Sequence, residues 1–203
     1  KRILSEDKYN SLTKSCKKIV DKAIDDPNKQ YEVGSNLIKG KNGFEEDVET
    51  GVKYLKAAIK GGKIEAVILY NKMLIIGRTI NCDLEKARRN LQNYEHLKNP
   101  DITFLQAMIE KKEGNYNKTI KLLKRAIKRG CPDAFFEYGK MLYLGEGVEE
   151  DKDEAMNYFN QAKEKGCNKI DKFLQKQKQE SKKKPKAKTN PGLLWGLERG
   201  LLS

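Results

Sequence analysis

Small and apolar residues along this chain recur with the spacing of paired helices rather than strands. Within residues 133–167, Ala134, Tyr138, Gly139 and Leu142 fall at i, i+4, i+5 and i+8, and Ala155, Tyr158, Phe159 and Ala162 at i, i+3, i+4 and i+7. Each set draws one stripe along an α-helix. Gly145 and Gly147 stand where the first helix should stop, Asp151 where an acidic N-cap or first-turn residue should open the second, and Gly166 where the second should end. The spacing predicts a helical hairpin. Gly139, Ala155 and Ala162 are small enough for the two backbones to approach, while the aromatic and Leu positions fill the remaining space.

The same pattern returns at fixed offsets. Shifted by 68 residues, Ala134, Leu142, Gly145, Val148, Asp151, Ala155 and Phe159 fall on Ala66, Leu74, Gly77, Ile80, Asp83, Ala87 and Leu91. Shifted by about 105, Phe136, Gly139, Leu142, Tyr158, Phe159, Ala162 and Gly166 fall on Tyr31, Gly34, Leu37, Tyr54, Leu55, Ala58 and Gly62, with one residue inserted in the Gly40–Gly43 turn. A further copy places Thr119, Leu123, Ala126 and Gly130 on Ala155, Phe159, Ala162 and Gly166, with a shorter turn between its helices. A lone hairpin cannot bury both faces, so successive units must stack into an all-α α-solenoid with a concave inner surface.

The stretch AFFEYGKMLYLGEGVEEDKDEAMNYFNQAKEKG resembles a Sel1-like repeat, a relative of the tetratricopeptide repeat. The resemblance extends to Tyr31–Gly62 and Glu65–Asn99, and the unit ending GNYNKTIKLLKRAIKRG is closer to a plain tetratricopeptide repeat. It departs from the pattern at Asn71, where Gly139 stands in the last unit, and at Lys98, where Gly166 stands. Both departures bear on how tightly the second unit packs. The expected organisation is an N-terminal capping helix over 1–28, four repeats over 29–167, a C-terminal capping helix over 168–180 and a tail over 181–203. In the N-terminal segment Tyr9, Leu12, Cys16, Ile19, Val20 and Ala23 share one helical face that Ser5 could cap. Ile170, Phe173 and Leu174 continue an apolar face beyond the last unit and are expected to cover its edge.

Composition and charge narrow the chemistry. The 203 residues carry 42 Lys+Arg against 29 Asp+Glu, a net charge of +13, with one His and 37% hydrophobic residues. A single His, and no strand-like run beyond Ala66–Tyr70, argue against a compact α/β enzyme. Cys16, Cys82, Cys131 and Cys167 include no C-x-x-C pair and have no His at ligand spacing, so free thiols in a reducing compartment are expected and a zinc site is not. Some secreted Sel1-like proteins staple each hairpin with a Cys pair, whereas Cys131 and Cys167 merely occupy equivalent positions. The Gly34–Asn42 stretch is one residue too long for a phosphate loop and lacks the final Ser/Thr. His96 has no nucleophile pattern near it, Glu45-Glu46-Asp47 and Glu149-Glu150-Asp151 suit helix starts, and Asn117-Lys118-Thr119 matters as a glycosylation triplet only in a secretory compartment. No cofactor, metal, catalytic residue or small-molecule substrate is expected. The chain is read as cytoplasmic, with Lys182–Lys186 also fitting a loose nuclear-import pattern. Because the sequence begins at Lys1, any upstream targeting signal lies outside it.

Two binding surfaces follow. The resemblance implies ligands in the concave groove, lined by first-helix residues: Tyr31, Ser35 and Ile38, then Ile68, Lys72 and Ile75, then Phe104, Met108 and Lys111, then Phe136, Lys140 and Tyr143. This is an apolar strip with three cations, suited to a peptide with hydrophobic anchors and acidic groups. The alternative role for Phe104 and Phe136 is inter-repeat core. The second surface is the tail. Residues 168–188 hold nine Lys against Asp171 and Glu180, and Gly192, Gly196 and Gly200 alternate with Leu193, Leu194, Trp195, Leu197 and Leu201. Lys182, Lys183, Lys184, Lys186 and Lys188 with those Leu and Trp residues read as a docking segment. Its receptor is a partner protein, the molecule's own groove or, less favoured, a membrane surface. The leading expectation is a non-enzymatic adaptor in a larger complex. The alternative is a component of a polyanionic assembly, ribonucleoprotein or acidic filament, bound through the Lys-rich tail by counterion release. A third, weaker reading is a regulatory portion of a longer enzyme.

Overall fold

The computed structural model describes residues 2–183 and is all-helical over them. The predicted tail residues Lys184, Lys186, Lys188, Leu193, Leu194, Trp195, Leu197 and Leu201 lie outside the described residues, as do the side chains of Lys182 and Lys183. Two units divide the chain after Cys167. In the first, α1 (Glu6–Ser11) and α2 (Lys14–Lys22) precede four hairpins: α3 (Pro27–Lys39) with α4 (Val48–Lys60), α5 (Ile64–Ile76) with α6 (Leu84–Gln92), α7 (Pro100–Lys112) with α8 (Tyr116–Lys128), and α9 (Pro132–Leu144) with α10 (Lys152–Glu164). A 3-10 turn, Glu95–Leu97, links the second and third hairpins. In the second unit, α11 (Ile170–Lys183) carries Ile170, Phe173 and Leu174.

Helix boundaries follow from capping chemistry. The carboxylates of Asp47, Asp83 and Asp151 accept from the backbone N–H of Thr50, Lys86 and Glu154, so each equivalent acid opens its second helix as an N-cap. Pro27, Pro100 and Pro132 start three of the first helices, where a missing N–H costs nothing. The expected single N-terminal helix is instead two. Ser5 makes no side-chain cap bond, the helix stops at Ser11, and Thr13 restarts it by accepting from the N–H of Cys16. This break lets Leu4, Cys16, Val20 and Ala23 join Val33, Leu37, Phe44 and Tyr54 in one buried cluster. A second cluster runs through the first three hairpins from Ile38 and Leu55 to Ile102 and Ile109.

Close backbone approach is decided at matching positions of the first, second and last hairpins. A Cβ on Gly34 would lie 2.9 Å from the Gly51 carbonyl oxygen and 3.1 Å from the Leu55 nitrogen, and one on Gly139 would lie 3.1 Å from the Ala155 carbonyl oxygen. The first and last hairpins therefore cross nearly backbone to backbone. Asn71 takes this place in the second hairpin. It is 1% exposed, its Nδ2 donates to the Val67 carbonyl at 2.8 Å, and its Oδ1 accepts from Asn90 Nδ2 at 3.1 Å. The departure from the repeat pattern is thus a satisfied amide that props α5 and α6 apart. Lys98, the other departure, adopts the left-handed conformation that glycine takes in the matching units, with φ of 50° against 87° at Gly166.

Three of the four cysteines, Cys16, Cys131 and Cys167, are buried, Cys82 is exposed, and all four are free. Burial pushes the Cys131 thiol up to about 12, and its Sγ donates to Asp101 Oδ1 at 3.4 Å, so it is a packing residue rather than a nucleophile.

Candidate functional site

The first helices α3, α5, α7 and α9 carry the row of side chains that sequence spacing assigned to a groove. Tyr31, Ile68, Phe104 and Met108 are half-buried, resting on the core of the first three hairpins with one side still in solvent. Phe136 and Tyr143 are also half-buried, and their rings lie 5.8 and 6.2 Å from the Phe159 ring. Ser35 is half-buried and accepts from Lys39 Nζ at 3.1 Å. Ile38 and Ile75 do not belong to this surface. They are 9% and 2% exposed and are core residues, because the turns that follow them fold back over the helix ends. Asp47 N–H donates to the Leu37 carbonyl and Asp83 N–H to the Leu74 carbonyl, which brings each second helix up against the end of its first.

The three cations expected to meet an acidic ligand are answered from within the chain. Lys111 Nζ is 2.7 Å from Glu137 Oε1 and 2.7 Å from Glu146 Oε2, and its side chain is 9% exposed. Lys140 Nζ lies 3.0 Å from the same Glu137 oxygen. Lys72 Nζ lies 3.9 Å from Asp133 Oδ2, linking α5 to α9. Burial on its own would push the Glu137 carboxyl up, but Lys111 and Lys140 outweigh it and hold that group below the usual carboxylate range. Lys111 is likewise raised by Glu137 and Glu146 against a burial that would lower it. The surface is therefore an apolar row with a neutralised charge cluster at its α7–α9 end, not a cationic strip. Glu137 is not among the residues that helical spacing places on this surface. The available signal was a lone acid between aromatics in Phe136-Glu137-Tyr138, since a charge in an apolar run needs a buried partner.

A comparable network ties α6 to α7. Arg88 contacts Glu110 Oε1 and Glu113 Oε2, each at 2.5 Å, and Asn115 Nδ2 donates to Glu110 Oε2 at 2.9 Å. At the N-terminal end, Lys8 pairs with Asp47. Burial pushes the Asp47 carboxyl up, yet donors on Lys8 and Thr50 overcome that and hold it at about 2. A carboxyl depressed on folding stabilises the fold above its ordinary range near 3.8, and that contribution is lost as pH falls toward 2. Asn caps a helix as well as Asp does, so Asp47→Asn should leave α4 capped. The expected result is a flatter loss of stability between pH 4 and 2 than in the unmodified chain, read from urea midpoints at each pH. Parallel curves would show that Asp47 is not depressed.

Comparisons with known proteins fit this architecture. A profile described as "Plant tetratrico peptide repeats" matches residues 79–183, and one described as "Sel1 repeat" matches residues 30–63. No curated protein matches the chain. Among solved structures, a Sel1 repeat protein from Oxalobacter formigenes is 21% identical with a TM-score of 0.57, over 76% of this chain and 64% of that one. A protective antigen present in uropathogenic Escherichia coli strains and displaying an SLR fold is 18% identical with a TM-score of 0.57, over 74% of this chain and 33% of that one. At these identities the likeness is one of fold, and the chain spans less than two thirds of either structure's length.

Proposed function

Because the chain belongs to the tetratricopeptide and Sel1-like repeat family, whose folds generally mediate protein–protein interactions as non-catalytic scaffolds, we propose that it is an adaptor holding a partner protein along its first-helix surface. The observation that carries this reading is the row of large apolar side chains left half-buried in each hairpin, from Tyr31 through Ile68, Phe104 and Met108 to Phe136 and Tyr143. A monomer gains by covering such side chains fully, and a row of them one repeat apart suits an extended or helical segment with regularly spaced apolar anchors. With Lys72, Lys111 and Lys140 already paired, the anchors rather than acidic groups should supply the affinity.

The test is the pair Ile68→Ser and Met108→Ser in the full chain. Both side chains reach solvent, so helicity by circular dichroism should be retained while capture of the partner falls at least tenfold. Unchanged capture by a folded double variant would remove the first-helix row from the binding surface.

A second reading rests on the +13 net charge and the nine lysines of 168–188. In it the tail binds a polyanion such as ribonucleoprotein, and binding is lost with salt. A cytoplasmic or nuclear location suits both readings.

A further inference from the structure

Among the described residues, three lysines away from the first-helix row have no acid to answer them. Lys56 and Lys60 on α4 and Lys86 on α6 border a cleft of about 310 Å³ where α4, α5 and α6 meet, floored by Val67 and Tyr70 and closed by Tyr94. Among the described residues no Asp or Glu lines this cleft. Two clefts of similar size carry their own acids, Glu45, Glu46 and Asp47 beside Lys8 in one and Glu95 and Glu110 beside Arg88 in the other. Among the described residues none of the three lysines lies within ion-pair distance of a carboxylate, and Lys56 rests 5.9 Å from the centre of the Tyr70 ring. The Asn93 amide and the Tyr70 and Tyr94 hydroxyls likewise have no hydrogen-bond partner among the described residues, so donors converge on the cleft from α4, α5, α6 and the segment after α6.

The cleft sits where the repeat pattern is broken. Asn71 and Asn90, the amide pair that spaces α5 from α6, both line it. In the first and last hairpins the matching crossing is closed by Gly34 and Gly139. Lys56 and Lys60 recur as Lys124 and Lys128 on α8, and Lys124 rests on Tyr138 as Lys56 does on Tyr70, but the position equivalent to Lys86 is Glu154 in the last hairpin, so Lys86 is what makes this cleft wholly cationic. Stacking of repeats does not require lysine at the Lys86 position.

We infer that this cleft binds an acidic segment of a partner protein, its carboxylates meeting Lys56, Lys60 and Lys86 and a neighbouring apolar side chain resting on Val67 and Tyr70. Charge complementarity selects the occupant: three ammonium groups around an apolar floor accept a segment in which carboxylates flank an aliphatic or aromatic residue. The site is built mainly from second helices, so it does not depend on the first-helix row.

The test titrates the isotope-labelled full chain with a short synthetic peptide alternating Glu and Leu, with its Gln-for-Glu counterpart as control. Lys56→Gln/Lys86→Gln is compared with Lys121→Gln/Lys128→Gln on α8. Every protein keeps the Lys-rich tail, so its contribution cancels. The expected result is saturable shifts of the Asn90 and Asn93 side-chain amides, an affinity about tenfold weaker in the Lys56/Lys86 variant only, and no such shifts with the Gln peptide. Equal binding by both variants, no shift of the Asn90 and Asn93 amides, or equal binding of the neutral peptide would overturn the assignment.

Discussion

Replacing Glu137 with Gln is expected to lower the stability of the chain by about 3 kcal/mol, the cost of breaking a buried ion pair from one side. Glu137 is 6% exposed and receives Lys111 at 2.7 Å and Lys140 at 3.0 Å. Gln keeps the shape and one acceptor, but Lys111 is left buried with Glu146 as its sole carboxylate. Removing both charges together in Lys111→Met/Glu137→Leu should recover most of the loss, because an apolar pair has no charge to desolvate. The pH dependence has a definite sign. Glu137 is depressed on folding, so its contribution is present above the ordinary carboxylate range and disappears as pH falls through its folded value. Lys111 is raised, so its contribution is present below its ordinary value of 10.5 and disappears as pH rises through its folded value. Stability of the unmodified chain should therefore be greatest between these limits, and the Met/Leu variant should vary less at both ends. Urea midpoints across pH check this. A Glu137→Gln chain as stable as the original would mean that the pair is not buried as described.

Gly34→Val should cost about 3 kcal/mol, at the upper end for overpacking, although valine is the better helix former of the two. The first Cβ atom already falls 2.9 Å from the Gly51 carbonyl oxygen and 3.1 Å from the Leu55 nitrogen, and backbone cannot rotate away as a side chain can. Gly51 faces the same crossing, with its own added Cβ 2.7 Å from Ile38 Cγ1, so α3 and α4 must separate. The matching contrast is Asn71→Ala, which frees α5 and α6 from their amide spacer but leaves Asn90 without its partner, a loss of about 1–2 kcal/mol without steric conflict. Thermal or urea unfolding of the two variants distinguishes clash from lost hydrogen bonding. Gly34→Val within about 0.5 kcal/mol of the original would contradict the close crossing.

The fold was legible because repetition multiplies weak local signals. Ala155, Phe159 and Ala162 are each 0% exposed, and their counterparts Ala87, Leu91, Leu55 and Ala58 are buried in the same way. Asp151 caps α10, and the matching Asp47 and Asp83 cap α4 and α6, so one motif located three helix starts. What escaped was information that does not repeat. The break at Leu12-Thr13 depends on a hydroxyl cap whose helix is too short to show a separate period. Lys111, Lys72 and Lys140 read as groove cations because spacing places a residue on a face but does not say which acid will reach it, whether from a later repeat, as for Lys111 and Lys72, or from the same helix, as Glu137 does for Lys140. Glu137 and Glu146 reach Lys111 from 26 and 35 residues downstream, a separation visible only once α7 and α9 lie together. The same limit hid the α4–α6 cleft, whose three lysines come from two units that spacing treats separately.

The claim that the first-helix row is the working surface is tested most directly by affinity capture from native lysate. The full chain, the Ile68→Ser/Met108→Ser variant and a chain ending at Glu180 are each washed at low and high salt. An apolar row predicts one protein partner that survives high salt with the full chain and with the chain ending at Glu180, and that is lost with the double variant. Recovery that needs the Lys-rich tail, collapses in salt and ignores the double variant would contradict the adaptor account and leave polyanion binding in its place.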